Sequence, residues 1–558
     1  MKFFNLTLLT AMLIGSVAQA FGCTSLIVGK KASTDGSVIV TYAADSYIRF
    51  GFLDHQPRKD NKKGAMRPVI GYSTDEYLGE IPDVPHTYGT IGCMNEYGLV
   101  ITESTWGGRK ELADRNGNLD YGAYMSIALQ RARTAREAIE VIDWLAKTYG
   151  YASTGESFSI ADENEAWIME LIGKGKYGKG IVWVARRVPD DCISGHANQA
   201  RIHKFPLNDK ENCLYSPDVI SFARERGFFD GKDEDFSFSY AYGDYTKYSI
   251  FRGCDGRVWA FFNKFSDGMD KYFDWVDKGT GEPMPLWVKP NRKLNAEDMK
   301  WMMRDHYEGT PYDMMNDISA GPFKTPARWR PLTFTVDSVT YTHERPIATQ
   351  QTGYSLVAEI NADRPEYLRG LQWFGTDDAN TCVYIPVFCS VANPPKELAK
   401  GNGDLYNISW TSNFWVNNYV ANQAYNRYSQ MIPDIRKVQK SLEDSIAVDV
   451  RVAMEQIPEL GDPEIAALAA QDLADVWAEK ATTRYKELGD YLLVKFLDGV
   501  IRKQNPDGTF KRSEHGRPVN PDGPGYDEGY YRAIANSPQA DRYKVKTPVV
   551  RQPNSNKK

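Results

Sequence analysis

The chain has 558 residues, of which 42% are hydrophobic, 13% aromatic and 25% charged, and its formal net charge at pH 7 is -6. This composition excludes a disordered or collagen-like chain and supplies enough apolar residues for a large core, in roughly two to four domains. No basic stripe or patch stands out, so the sequence predicts that nucleic acid is not a partner.

The first 22 residues have the three parts of a secretory signal peptide. Lys2 supplies a positive start, residues 3–14 form a short apolar run, and Ala18-Gln19-Ala20 places small residues where a signal peptidase cuts. A membrane anchor or a buried helix is the alternative, but the run is too short and too interrupted by Asn and Thr to cross a bilayer comfortably. We therefore predict export to the periplasm or the extracellular space, with no transmembrane segment.

The N-terminal half is rich in predicted strands. Residues 23–28 and 37–42 are two β-rich runs that flank a turn containing Asp35-Gly36, which predicts a hairpin starting at Cys23. Further hairpins are predicted at residues 92–102 and 158–172, and another strand at 181–185.

Predicted helices are interleaved with these strands and dominate later. Thr134 to Glu137 forms a capping box, and residues 295–298 are typical of a second helix start. Composition shifts near residue 410, and residues 413–502 are mostly helical in pattern. The sequence therefore predicts an α+β fold with a main domain at 23–410, a helical region at 411–504 packed on it, and an irregular tail at 505–558.

Cys23 is the candidate nucleophile because of its position directly after the leader. Once the leader is removed, Cys23 carries a thiol and a free α-amine, whose usual pKa values are about 8.5 and about 8. The amine can then take the thiol proton without a separate histidine base. The thiolate would attack an amide carbonyl to give a thioester, and amide donors would stabilise the oxyanion.

Two other interpretations of Cys23 remain open at this stage. It could be a buried thiol or half of a disulfide, because the seven cysteines leave at least one without an intrachain partner while six could pair. Alternatively, Ala20-Phe21-Gly22-Cys23 partly resembles a bacterial lipobox, although Phe21 stands where a small residue is usual. In that case the protein would be a lipid-anchored surface binding protein.

The chain resembles the bacterial dipeptidase A family of cysteine N-terminal-nucleophile hydrolases, which is related to penicillin V acylases and bile salt hydrolases. The resemblance is carried by residues 23–37, Ala44-Asp45-Ser46, Asn95-Glu96, 185–191, Ala197-Asn198-Gln199, 303–313 and 320–323. It extends to about residue 440.

The resemblance implies a four-layer αββα sandwich and amide hydrolysis without a metal or cofactor. It implies that Cys23 is the nucleophile, that Asp45 holds its α-amine, that Asn198 contributes to the oxyanion hole, and that Arg252 is a late active-site arginine. The alternative roles are structural: Asp45 could cap a turn, Asn198 could be a loop residue with positive φ, and Arg252 could pair with a surface acid.

One position departs from the family pattern. Tyr42 stands where many relatives carry an arginine three residues before the aspartate, and a neutral tyrosine offers only a hydroxyl hydrogen bond near the thiol. The expected substrates are dipeptides or short peptides. An acylase that removes an acyl group from an amino compound is the enzymatic alternative.

Overall fold

A computed structural model describes residues 22–72, 75–113, 117–246 and 250–546. The predicted leader lies outside these residues except for Gly22, as does the end of the predicted tail, 547–558. Strands and helices are mixed, and the segment that begins at Asn413 is mainly helical, which confirms the predicted α+β class and the helical C-terminal region.

The strands form two large antiparallel sheets and three two-stranded sheets. In chain order they are β1 (Ser25–Val28), β2 (Val38–Asp45), β3 (His55–Gln56), β4 (Lys59–Asp60), β5 (Met66–Ile70), β6 (Tyr77–Pro82), β7 (His86–Thr87), β8 (Thr90–Ile91), β9 (Met94–Asn95), β10 (Val100–Trp106), β11 (Gly155–Ala161), β12 (Ala166–Gly173), β13 (Ile181–Arg187), β14 (Ile193–His196), β15 (Cys213–Tyr215), β16 (Trp287–Val288), β17 (Thr333–Val336), β18 (Val339–Thr342), β19 (Thr352–Ile360), β20 (Gly370–Thr376) and β21 (Ile385–Phe388).

The order of the seven-stranded sheet is β16-β14-β1-β2-β19-β20-β21, and that of the eight-stranded sheet is β15-β13-β12-β11-β10-β9-β8-β3. The two sheets face each other, since Ser25 on β1 hydrogen-bonds across the interface to Thr102 on β10 and to Ser159 on β11, each at 2.8 Å. Strands β2, β11, β12 and β19 are buried at every residue, so both faces of each sheet are covered.

The helices in chain order are α1 (Tyr121–Arg131), α2 (Ala135–Tyr149), α3 (Val219–Glu225), α4 (Phe238–Tyr242), α5 (Gly256–Phe265), α6 (Phe273–Lys278), α7 (Ala296–Met302), α8 (Asn413–Asn426), α9 (Tyr428–Gln456), α10 (Pro463–Lys495), α11 (Glu528–Ala535) and α12 (Ala540–Tyr543). Helices α1 and α2 contact strands β10 to β13, whereas α5, α7, α8, α9 and α10 contact strands of the seven-stranded sheet. Within the described residues, no helix is both long and apolar enough to cross a membrane.

The three predicted hairpins are present. β1 pairs with β2, β9 with β10, and β11 with β12, all antiparallel. Gly36 has φ +82°, a left-handed conformation that glycine adopts without strain, so the Asp35-Gly36 turn returns the chain directly from β1 to β2. This turn brings the end of β2, and with it Asp45, back beside the start of β1.

Candidate active site

Cys23 directly precedes β1, which is held between β14 and β2 in the interior of the seven-stranded sheet. The next residue, Thr24, exchanges backbone hydrogen bonds with Ala43 at 3.3 and 2.9 Å, so the chain is fixed up to the cysteine. The Cys23 side chain is buried, and its sulfur donates to Glu103 Oε1 at 3.1 Å and lies 3.6 Å from the Tyr42 hydroxyl.

The surroundings of the sulfur keep the thiol protonated in the form that still carries Gly22. Burial, followed by the Glu103 and Asp45 carboxylates, raises the pKa of the Cys23 thiol well above its usual value. Tyr42, the position that departs from the family pattern, donates its hydroxyl to the same Glu103 oxygen that accepts from the sulfur.

Asp45 is the last residue of β2 and lies on the backbone side of Cys23. Its carboxylate accepts from the Thr352 hydroxyl at 2.7 Å and from Arg345 Nη2 at 3.1 Å, and its carbonyl accepts from the Gly22 N–H at 3.1 Å. Burial raises the pKa of Asp45 to about 6, although Arg345 and Thr352 act in the opposite direction. At neutral pH the carboxyl group is therefore ionised and paired with Arg345.

Arg345 contacts both Gly22 and Asn198. Its Nη2 donates to the Gly22 carbonyl at 2.5 Å, and its Nη1 donates to Asn198 Oδ1 at 3.4 Å. A Cβ added to Gly22 would lie 1.4 Å from Arg345 Nη2, so this close approach requires glycine. The carbonyl that precedes Cys23 is thus held against a guanidinium group.

Asn198 follows β14 with φ 59°, in the left-handed region that asparagine tolerates better than most residues. Its backbone N–H donates to Ser104 Oγ at 3.1 Å, and its side-chain Nδ2 donates to the Thr105 carbonyl at 2.5 Å. Its Oδ1 accepts from Arg257 Nη2 at 2.9 Å as well as from Arg345. The amide is therefore oriented, and one of its two N–H groups is left for another acceptor.

Arg257 connects Asn198 to the start of β1. It lies in the first turn of α5 and is fully buried. Burial is the main reason that its pKa is lowered to about 10, so it stays charged at neutral pH. Its five hydrogen bonds go to Gly253 O (2.8 Å), Cys23 O (2.8 Å), Thr24 Oγ1 (2.7 Å), Ala197 O (3.1 Å) and Asn198 Oδ1 (2.9 Å).

Arg252, the arginine predicted for the site, lies in a different environment. It occupies a π-helical turn (Phe251–Asp255) and forms ion pairs with Asp277 at 2.7 Å and Glu344 at 3.4 Å. The arginine that contacts Cys23 is Arg257, five residues later.

His196 lies near the site but is not bonded to the sulfur. Its Nδ1 is 2.6 Å from Ser104 Oγ and its Nε2 is 2.9 Å from Ser159 Oγ. Burial, together with Arg201 and Arg257, lowers its pKa to about 3, so the ring is neutral. The hydrogen-bond partners of the Cys23 sulfur are a tyrosine and a glutamate, which leaves the thiol without a histidine base in contact.

Sequence reasoning missed three residues of this site: Glu103, Arg257 and Arg345. Glu103 is an acid within the β-rich run 100–106, and Arg257 is a cation beside the apolar run 258–262. Each is therefore a charged residue in a segment whose apolar residues predict burial. A charged residue in such a segment is buried only with a partner, and this is the signal that could have identified both.

A cavity of about 590 Å³ is connected to the sulfur through the rings of Tyr42 and Tyr354. Tyr354 lines it, and its ring packs edge to face on Tyr42 at a centroid distance of 5.7 Å. Arg49 and Tyr72 lie on the same wall, with the guanidinium 3.9 Å from the ring centroid. Its volume falls within the range typical of small-molecule sites.

All seven cysteines are free thiols. Among the described residues, no group of three or more His, Cys, Asp or Glu side chains is arranged to hold a metal ion.

A family model described as peptidase family C69 matches residues 22–441. The similar proteins include a probable dipeptidase of Latilactobacillus sakei, 25% identical over 85% of this chain and 94% of the relative. Dipeptidase A of Lactobacillus helveticus is 26% identical over 81% of this chain and 90% of the relative. A dipeptidase of Bifidobacterium longum is 25% identical over 87% of this chain and 90% of the relative.

Proposed function

The chain belongs to peptidase family C69, and on that premise we propose that it is an exported cysteine dipeptidase that acts through an N-terminal nucleophile. The observation that carries the proposal is the position of Cys23, with Asp45 and Arg345 on its backbone side and Asn198 held beside it. The names of the similar proteins support short peptides as substrates. Helices in contact with both sheets support a four-layer αββα sandwich as part of the proposal.

The first step requires the bond between Gly22 and Cys23 to be cut. Signal peptidase cleavage after Ala20 would leave Phe21 and Gly22, so a second cut follows, for which self-cleavage by the thiol is the simplest route. Arg345 donates to the Gly22 carbonyl oxygen, where negative charge develops if the Cys23 thiol attacks that carbonyl. The thioester formed with Gly22 is then hydrolysed, which releases Cys23 with a free amine.

The freed amine has two roles. As an ammonium group it adds positive charge beside the sulfur, which opposes the effect of Glu103 and lowers the barrier to forming the thiolate. As a neutral amine it accepts the thiol proton when the sulfur attacks the scissile carbonyl. Asp45, fixed by Thr352 and Arg345, orients the ammonium group through its carboxylate.

The remaining steps are those of a thioester route. The sulfur adds to the substrate carbonyl, and the free N–H of Asn198 donates to the oxyanion. The Cys23 ammonium then gives its proton to the departing amine, the second amino acid leaves, and water hydrolyses the thioester with the amine again acting as base.

Two measurements test this function. The intact mass and N-terminal sequence of the exported protein should show a chain that starts at an unmodified Cys23. The mature enzyme should hydrolyse alanyl-alanine, and Cys23→Ser should lose most of that activity while its unfolding midpoint stays close to wild type. A chain that starts at Phe21 or at an acylated cysteine, or a fully active Cys23→Ser variant, contradicts the proposal.

A further inference from the structure

Two buried carboxyl groups lie on the same face of adjacent strands, next to the sulfur of Cys23. Glu103 on β10 is 1% exposed and Glu156 on β11 is 0% exposed. Thr105 is paired with Glu156, and Glu103 with Phe158, so the two glutamates are diagonal neighbours within reach of each other. Glu156 accepts from the Thr105 hydroxyl at 3.0 Å, and Glu103 accepts from the sulfur at 3.1 Å.

Among the described residues, neither glutamate forms an ion pair with a Lys, Arg or His side chain. The two carboxyl groups hydrogen-bond to each other. Burial and the neighbouring Glu103 raise the pKa of Glu156 well above its usual value. Two carboxyl groups that share a buried site hold one proton between them, so the pair carries one negative charge.

An uncompensated carboxylate at 3.1 Å from a nucleophilic sulfur opposes thiolate formation. The two cationic groups of the site, Arg257 and Arg345, contact the backbone of Cys23, the backbone of Gly22 and the side chains of Asp45 and Asn198 instead. A buried charge without a partner is expensive, and a buried carboxylate at a binding site is stabilised when a cationic ligand arrives.

We propose that Glu103, supported by Glu156, binds the α-ammonium group of the substrate. The inference rests on the proposed dipeptidase function and assigns the residues that recognise the free amino terminus of its substrates. The sulfur of Cys23 then attacks the carbonyl carbon, and the carboxylate of Glu103 binds the amine nitrogen, of one amino acid.

The distances are compatible with this assignment. A carbonyl carbon poised for attack lies about 3–3.5 Å from the sulfur. The amine nitrogen of the same residue is two bonds away, about 2.5 Å from that carbon. A charge-assisted hydrogen bond spans about 2.7–2.9 Å, and the Glu103 oxygen is 3.1 Å from the sulfur, so the four atoms close into one ring of contacts.

The experiment compares alanyl-alanine with isobutyryl-alanine, in which a methyl group replaces the ammonium group. The mature wild-type enzyme should favour alanyl-alanine in kcat/KM. Glu103→Gln should reduce this preference by at least about 10-fold, because glutamine keeps an acceptor oxygen but removes the negative charge that pairs with the ammonium group. The double variant Glu103→Gln, Glu156→Gln removes any charge that moves to Glu156 and should give the same loss.

Glu359→Gln is the matched control. Glu359 is another buried glutamate on a strand, β19, where it accepts from Trp373 Nε1 at 2.8 Å, and it should keep the wild-type preference. Circular dichroism and the unfolding midpoint establish that each variant is folded. If Glu103→Gln is unfolded, inhibition of the wild type by alanine amide and by isobutyramide provides the second test, with the amine-bearing compound expected to bind at least about 10-fold more tightly.

The outcomes separate the two claims. Wild-type hydrolysis of alanyl-alanine with an unchanged preference in both Glu103 variants, or equal inhibition by the two amides, overturns the ammonium site and leaves the dipeptidase function standing. A wild-type enzyme that hydrolyses neither substrate, or that favours isobutyryl-alanine, overturns the dipeptidase function together with the ammonium site.

Discussion

Replacing Arg257 by lysine tests whether one guanidinium group organises both the start of β1 and the oxyanion-hole amide. Arg257 makes five hydrogen bonds to groups at or near the site. A lysine ammonium has three N–H donors, so at least two buried acceptors lose their donor. At about 1.5 kcal/mol or more for each bond to a charged group, the free energy of unfolding should fall by about 3 kcal/mol or more.

Activity should fall as well, because Asn198 Oδ1 loses the shorter of its two hydrogen bonds, at 2.9 Å, and keeps only the 3.4 Å bond from Arg345. Loss of an oriented oxyanion donor typically lowers kcat by about 100-fold, and we expect a decrease of that order for alanyl-alanine. Urea unfolding followed by tryptophan fluorescence measures the first effect, and release of alanine measures the second.

Arg252→Lys is the matched control for this prediction. Arg252 is partly exposed and paired with Asp277 and Glu344, and lysine keeps the charge, so stability should change by less than about 1 kcal/mol. Its kcat should stay within about threefold of wild type. If Arg252→Lys loses more activity than Arg257→Lys, or if Arg257→Lys keeps the wild-type kcat, the assignment of the central role to Arg257 is wrong.

Two further predictions concern pH. The pKa of Asp45 is about 6 in the form that carries Gly22, and the Cys23 ammonium of the mature chain lowers it. Because the ionised carboxylate orients that ammonium, kcat/KM should fall along an acid limb below about pH 6, and Asp45→Asn should be about 100-fold slower and lack this limb. A wild-type limb that persists in the variant contradicts the role. His196 has a pKa of about 3 when folded and about 6.5 when unfolded, so its contribution to stability is present above pH 6.5 and is lost as pH falls towards 3. Between pH 7 and 4.5 the free energy of unfolding, measured with urea, should fall by about 3 kcal/mol more in wild type than in His196→Gln. An equal fall in the two proteins would contradict the neutral, buried state of the ring.

The sequence was sufficient for the part of the site that is local to β1 and β2. Two β-rich runs on either side of the Asp35-Gly36 turn predicted the hairpin, and this hairpin sets Cys23 and Asp45 side by side. Arg345, by contrast, is 300 residues from Asp45 in the chain, and nothing in its local sequence indicates that β19 will bring Thr352 and its preceding loop to the end of β2.

The choice between Arg252 and Arg257 could not be made from spacing. Arg252 and Arg257 lie in successive helical turns, and the turn that contains Arg252 is π-helical. A π-helical turn has more residues than an α-helical one, which changes which of the two side chains faces β1. Glu103 was missed for a different reason, since a strand pattern predicts which face a residue occupies and not whether an acid on that face meets a second acid from the neighbouring strand.

The backbone of Asn198 makes position 198 unusually restrictive for substitution. Glycine would accept the left-handed φ of 59° without strain but would remove the amide donor. Aspartate would tolerate the backbone and replace a donor by an acceptor opposite the Thr105 carbonyl, whereas glutamine would keep the amide on a longer side chain at a strained φ. None of these three residues combines a tolerated left-handed φ with an amide donor at this distance. We therefore expect substitutions at the residues around position 198 and retention of the asparagine itself.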